Sequence, residues 1–178
     1  QDNTTIAITP KTDVVGHVVG TTYTVILMEG ETYSARDVNV TASTSLAGSI
    51  VSADAPIVVT CFSGALNNGG CTSSMGDQIT PVEYLGTDFI LHRGTSSDDR
   101  FYILGTQNNT SITITDGGTT TSLVNWSETY EYDITGDETY IETSKPVYLW
   151  HASGFGCNLS GAQVPNTFCA GKYEQAFT

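Results

Sequence analysis

Positive charge is scarce in this chain: six Lys and Arg stand against nineteen Asp and Glu, for a formal net charge of −13. A field of that sign repels phosphate backbones and anionic lipid, which removes nucleic acid and membrane surfaces as partners. It suits divalent cations, cationic partners or plain solubility. Long apolar runs are missing too: no stretch reaches the roughly 18 residues of a membrane span, and no basic-apolar leader is present. Helical periodicity is absent. Nowhere do apolar residues recur at i, i+3, i+4 and i+7 long enough for an amphipathic helix. Catalytic signatures are equally thin. There is no G-x-S-x-G elbow, and His17, His92 and His151 are scattered without H-x-H or H-x-x-x-H spacing. His151 and Ser153 lie two apart near a strand end, yet no third group completes a hydrolytic set. No catalytic residue is assigned and the chain is read as a non-enzyme.

What is present is strand. A hydrophobic content of 39% with 10% aromatics argues against disorder. Runs such as "TTIAIT", "TYTVILM", "DVNVTA", "QITPVEY", "DFILH", "RFYILGT", "TSITIT" and "TYEYDI" are separated by Gly, Asp, Asn or Pro. Ile112 and Ile114 alternate with polar residues, as a half-buried antiparallel strand requires. "PIVVT" and "PVYLW" are continuous apolar runs, predicted as central strands buried on both faces and starting at their prolines. "TDGGTT" at 115–120 reads as a hairpin tip. The fold class is all-β, with antiparallel sandwich-like units in tandem; a propeller-like pseudo-symmetric array is the rival.

The tandem reading rests on a written repeat. "QDNTTIAIT" at the start matches "QNNTSITIT" at 107–115 in six places, among them Ile6/Ile112 and Ile8/Ile114. "GETY" at 30–33 matches "SETY" at 127–130, and "PIVVTCFSG" matches "PVYLWHASG". The offset falls from 106 (Gln1 to Gln107) to 97 (Gly30 to Ser127) to 90 (Pro56 to Pro146). A duplicated unit diverges in this way, because surface loops tolerate deletion and core strands do not. The predicted units are 1–106, with a connecting segment at 72–106, and 107–178. Since 72–106 has no second copy, the second unit is expected to be incomplete and the chain to be a piece of a longer array.

Cys61, Cys71, Cys157 and Cys169 fall into two sequence-local pairs without the short knuckles of a zinc site. Cys71 and Cys157 follow the "FSG" and "ASG" ends, which favours Cys61–Cys71 with Cys157–Cys169 among the three possible pairings. Four reduced, buried thiols are the alternative. Disulfides would place the chain outside the cytoplasm.

"GDQITPVEYLGTDFI", "RFYILGTQNNTSITI" and "TSKPVYLWHASGFGC" carry a resemblance. They resemble the module named after the N-terminal region of the IgG-Fc-binding protein of mucus. The likeness is closer to copies of that module in very large secreted surface proteins of gliding bacteria, cargo of the type IX secretion route. Gly76, Asp77, Gln78, Pro81, Gly86, Lys145, Pro146, Gly154, Gly156, Cys157 and Cys169 fall on its pattern. The resemblance implies tandem β-rich modules, a secreted or cell-surface location, and an adhesion-type role without enzymatic activity.

Two ligand classes fit these residues. Trp126, Tyr130 and Tyr132 around the "SETY" strand, with His151, are the candidate contacts for an extracellular protein or glycan. Calcium is the one cofactor considered, with Asp77, Asp98, Asp99 and Asp116 as loop ligands, although none forms an EF-hand pattern. The expectation is therefore a non-catalytic module of a large cell-surface adhesin or filament protein, partnered by neighbouring modules of its own chain. The alternatives are a glycan- or protein-binding module assisted by calcium and, distantly, an extracellular hydrolase.

Overall fold

A computed structural model describes residues 2–38, 45–68, 71–94, 99–153 and 166–170, with the backbone alone described for 63–68, 71–75, 153 and 166–170. The chain forms two compact units, Gln1–Val58 and Val59–Thr178. Apart from one short 3-10 turn, Val82–Tyr84, the elements are β-strands. All pairings between strands are antiparallel.

The first unit holds β1 (Thr4–Thr9), β2 (Tyr23–Leu27) and β3 (Ile50–Ala53), in the order β2-β1-β3. Thr4, Ile6 and Ile8 point inward from β1 and the residues between them are half-buried, as the alternation requires. His17 lies flat on Tyr23, with ring centroids 3.5 Å apart.

The second unit begins with a two-stranded hairpin, β4 (Thr60–Asn68) and β5 (Cys71–Gln78). A seven-stranded sheet follows, built from β6 (Gly86–His92), β7 (Arg100–Gly105), β8 (Thr110–Thr115), β9 (Thr119–Val124), β10 (Thr129–Asp133), β11 (Glu138–Ser153) and β12 (Asn166–Ala170). The long strand β11 organises it. Glu138–Glu142 pair with β6 on one side, and Tyr140–Thr143 pair with β8 on the other. Val147 lies between β6 and β7, and from Leu149 onward β11 runs between β7 and β12. The sheet thus curls into a half-barrel around a core that includes Phe89, Phe101, Ile103, Ile112, Ile141 and Leu149. Each such side chain removed from water contributes about 1.5–3 kcal/mol.

The run "TYIET" at 139–143 and the expected strand "PVYLW" are one element. Pro146 does not start a strand but stands inside β11, where the register against β6 shifts between Glu142 and Val147. Proline has no N–H for a ladder, and such an irregularity is where a strand tolerates it. Thr143 steadies the bend, its Oγ1 donating to the Thr87 and Lys145 carbonyls at 3.1 and 2.9 Å. Nor is "PVYLW" buried on both faces: Val147 and Leu149 point inward, while Tyr148 and Trp150 are half-buried on the outer face. "PIVVT" departs further. Its strand begins only at Thr60, and Val58 is 71% exposed. "QITPVEY" closes β5 and then turns through Val82–Tyr84, because Pro81 cannot continue a ladder. "DVNVTA" contributes one bridge, Asp37 to Val14, and its residues 39–42 lie outside the described residues.

The expected boundary at 106/107 falls inside the second unit, in the turn between β7 and β8, and 72–106 supplies strands β6 and β7 to that unit. Yet the written offsets reappear as ladder geometry. Ile6, Ala7, Ile8 and Thr9 oppose Ala53, Ser52, Val51 and Ile50; Ile112, Thr113, Ile114 and Thr115 oppose Thr143, Glu142, Ile141 and Tyr140. On the other side Thr4 opposes Leu27 as Thr110 opposes Val124. Asn3 and Asn109 both sit at φ 58° before their strands, in the left-handed region that Asn tolerates. The Met28 and Asn125 amides donate to Glu31 and Glu128 at 2.8 and 3.1 Å. The Glu29 and Trp126 amides donate to Asp2 and Asn108 at 3.1 and 2.9 Å. The likeness ends where "PIVVT" leaves the pattern, so the expected match of Val58 and Val59 with Tyr148 and Leu149 does not hold.

Candidate functional site

The sequence candidates do not converge. Trp126 is exposed in the turn between β9 and β10, with its amide held by Asn108. Tyr130 and Tyr132 lie on β10 and pack against the core; Tyr132 stacks on Phe101 at 5.2 Å. His151 is buried, its Nε2 3.4 Å from the buried Asp99 Oδ2. Asp99 also accepts the Gly94 amide at 2.6 Å and, through its carbonyl, the Ile134 amide at 2.8 Å. This pair ties the β6–β7 connection to β11. Ser153 lies at the end of β11, where only the backbone is described.

The acidic candidates are dispersed as well. Asp77 lies on β5, its carboxylate accepting the Gln78 amide at 2.7 Å. Asp98 lies outside the described residues. Asp116 closes the β8–β9 turn and is engaged throughout. Its Oδ1 accepts the Gly136 amide at 2.6 Å; its Oδ2 accepts the Thr135 amide at 2.8 Å, the Thr135 hydroxyl at 3.0 Å and the Tyr132 hydroxyl at 3.2 Å. Burial pushes this carboxyl up, but the Thr135 and Gly136 amides and the two hydroxyls outweigh it and hold it below its ordinary value. Among the described residues no group of His, Cys, Asp and Glu is placed to hold a metal ion.

The cysteines are also placed differently from the expected pairing. Cys61 stands opposite Asp77 in the β4–β5 ladder, and Cys71 stands opposite Asn68 at the other end. Seven residues of strand separate those rungs (61 to 68), well beyond the roughly 7 Å over which a disulfide can close. The Cys61 thiol instead donates to the Asp77 carbonyl at 3.5 Å. Cys157 lies outside the described residues, and Cys169 is described only as backbone, opposite Trp150 on β12.

The convergence lies elsewhere, on the outer face of β10, β7 and β11. Glu131, Tyr102 and Trp150 form one cross-strand row, and Asp133, Arg100 and Ala152 the next. Tyr102 and Trp150 meet at 5.7 Å between ring centroids. The Arg100 guanidinium bridges Glu131 and Asp133, reaching the latter at 2.5 Å. Burial opposes the charge on Arg100, but the Asp133 hydrogen bond and the neighbouring groups raise its pKa above the ordinary value. Burial is also what lifts the Tyr102 phenol, against the pull of Arg100. The Arg100 side chain is 20% exposed and its two acidic partners 52% and 70%. A fixed cation and two aromatics, rimmed by carboxylates, form a surface suited to polar and aromatic contacts with another macromolecule. "RFY" and "LWH" gave no local sign of it, since the rows exist only through pairing between distant strands.

A family model described as IgGFc binding protein matches residues 1–170. The chain belongs to this family. No curated protein and no solved structure gives a significant match. Membership in the IgGFc-binding family makes the chain a binding module of the extracellular type. No helix among the described residues is long and apolar enough to cross a membrane.

Proposed function

We propose that this member of the IgGFc-binding family is a non-catalytic module of a large surface protein, with an adhesive role exercised through the outer face of β10-β7-β11. The observation that carries this reading is the Arg100–Tyr102–Trp150 cluster. Tyr, Trp and Arg are the side chains that most often dominate protein interfaces: the aromatics cover a large area with two torsions each, and the Arg guanidinium offers a planar fork of donors. The partner is a folded extracellular protein. Calcium has no part in this reading, since Asp116 is committed to its turn and Asp77 and Asp99 lie on separate elements. Secretion by the type IX route and neighbouring modules in the same chain accompany the proposal.

The IgG Fc fragment is the first probe, chosen for the family's description, followed by an array of extracellular proteins and glycans. Tyr102→Ala and Glu131→Ala are expected to weaken the bound probe at least tenfold while leaving the melting temperature within a few degrees. Binding that survives both substitutions would remove the assigned face. A glycan ligand lost in Trp126→Ala would replace the protein reading with the carbohydrate one.

A further inference from the structure

We infer that the edge of β3 left unpaired among the described residues is a strand-acceptor site, and that its occupant is a segment of the β6 kind carried by another copy of the repeat. The second unit shows what such an edge receives. β1 and β3 carry the same rungs as β8 and the first half of β11. In the second unit the far edge of β11 is taken by β6, with Tyr140, Ile141 and Glu142 opposite Ile90, Phe89 and Asp88. The matching residues Ile50, Val51 and Ser52 belong to β3, an edge strand of its three-stranded sheet among the described residues.

Burial tells the same story. Ile141 is fully buried, whereas Val51, in the matching position opposite Ile8, is 39% exposed. Ile50 is also exposed, at 43%. Free edges are normally blunted by charge, proline or a bulge, and an unprotected one recruits strands. The four residues Ile50–Ala53 carry no charge and no proline. Asp54, the first acidic residue beyond, has its carboxylate turned back to the Thr5 amide at 2.9 Å. The incoming strand therefore meets main-chain groups and an apolar face. The repeat specifies its chemistry: an extended antiparallel segment with an aromatic or branched residue opposite Val51, as Phe89 stands opposite Ile141. Recognition is by strand addition, with the ladder supplying affinity and the alternating side chains supplying register.

The test joins a copy of residues 72–106 directly ahead of Gln1, in the spacing that the original has before Gln107. Amide hydrogen exchange is then followed at Ile50–Ala53. Protection at the amides of β3 that face away from β1 is expected to rise about tenfold or more. The same protection should be lost when Val51→Asp is added, with the exchange of β8 and β11 unchanged. Unaltered β3 exchange in the joined chain would overturn the proposal. So would concentration-dependent protection of β3 in the original chain, because the occupant would then be a second β3.

Discussion

At the scale of single residues, the most heavily engaged carboxylate among the sequence candidates is Asp116. Its pKa lies below the ordinary 3.8, so the folded state binds its proton more weakly than the unfolded chain does. Its contribution is therefore complete above that value and is lost as pH falls through the depressed folded value. Asp116→Asn is expected to cost about 1–3 kcal/mol at neutral pH, the penalty for leaving buried donors poorly matched. Urea melts should show the gap between parent and variant narrowing below pH 4; a gap that stays constant to pH 2 would disprove the linkage. Gly105 is constrained by space instead. A Cβ there would lie 2.6 Å from the Asn125 carbonyl oxygen, so Gly105→Ala should destabilise by about 1–3 kcal/mol as the turn is forced apart. The Asp99–His151 pair supports structure. Removing the buried imidazole leaves a cavity between β11 and the β6–β7 connection, and His151→Ala should cost about 2–5 kcal/mol in chemical denaturation, as large-to-small core substitutions do. Hydrolytic turnover that vanished in this variant would reopen the enzymatic reading.

Among elements, the similar strands β1 and β8 offer a controlled comparison. β1 and β8 share a burial pattern over their first five residues and both begin after a left-handed asparagine. They differ in what lies beyond them: Ile114 opposes the fully buried Ile141, while Ile8 opposes the exposed Val51. Ile114→Ala should therefore fall within the roughly 2–5 kcal/mol typical of a closed core, and Ile8→Ala should cost measurably less. Equal losses would mean that the exposure of Val51 does not reach β1. These strands were legible in the sequence because alternation is local, as was the hairpin at Gly117; "SETY", read as strand, opens instead in a turn and becomes strand only at Thr129. The fate of "PIVVT" was not. Apolar content says that a strand can be buried, but burial needs a partner, and Val147 and Leu149 have β7 where Val58 has none among the described strands. The Arg100–Tyr102–Trp150 face was illegible for a related reason. Its members come from strands about fifty residues apart (102 to 150), and only the β7–β11 register makes them neighbours.

For the molecule as a whole, the division at Val58/Val59 makes a direct prediction. The second unit has its own core around Phe101, Ile103 and Ile112, whereas several apolar side chains of the first, including Ile26, Ile50 and Val51, remain exposed. A fragment spanning 59–178 is expected to unfold cooperatively, with a single thermal transition. A fragment spanning 1–58 should show no cooperative transition alone, since so small a chain buries too little surface. A cooperative 1–58 fragment would show that its three strands suffice.

The bent strand β11 gives the second unit a mechanical character. Its sixteen residues are clamped by four different strands: β8 ahead of the Lys145–Pro146 corner, β7 and β12 after it, and β6 on both sides of it. Tension applied along β11 loads the ladders of β6, β7, β8 and β12 together, because all four are fastened to the same rod. Neighbouring ladders must shear together, so the unit should resist load up to a threshold and then yield in one event. Such a corner bracket turns a modest number of hydrogen bonds into a fastening that holds or breaks without stretching in between.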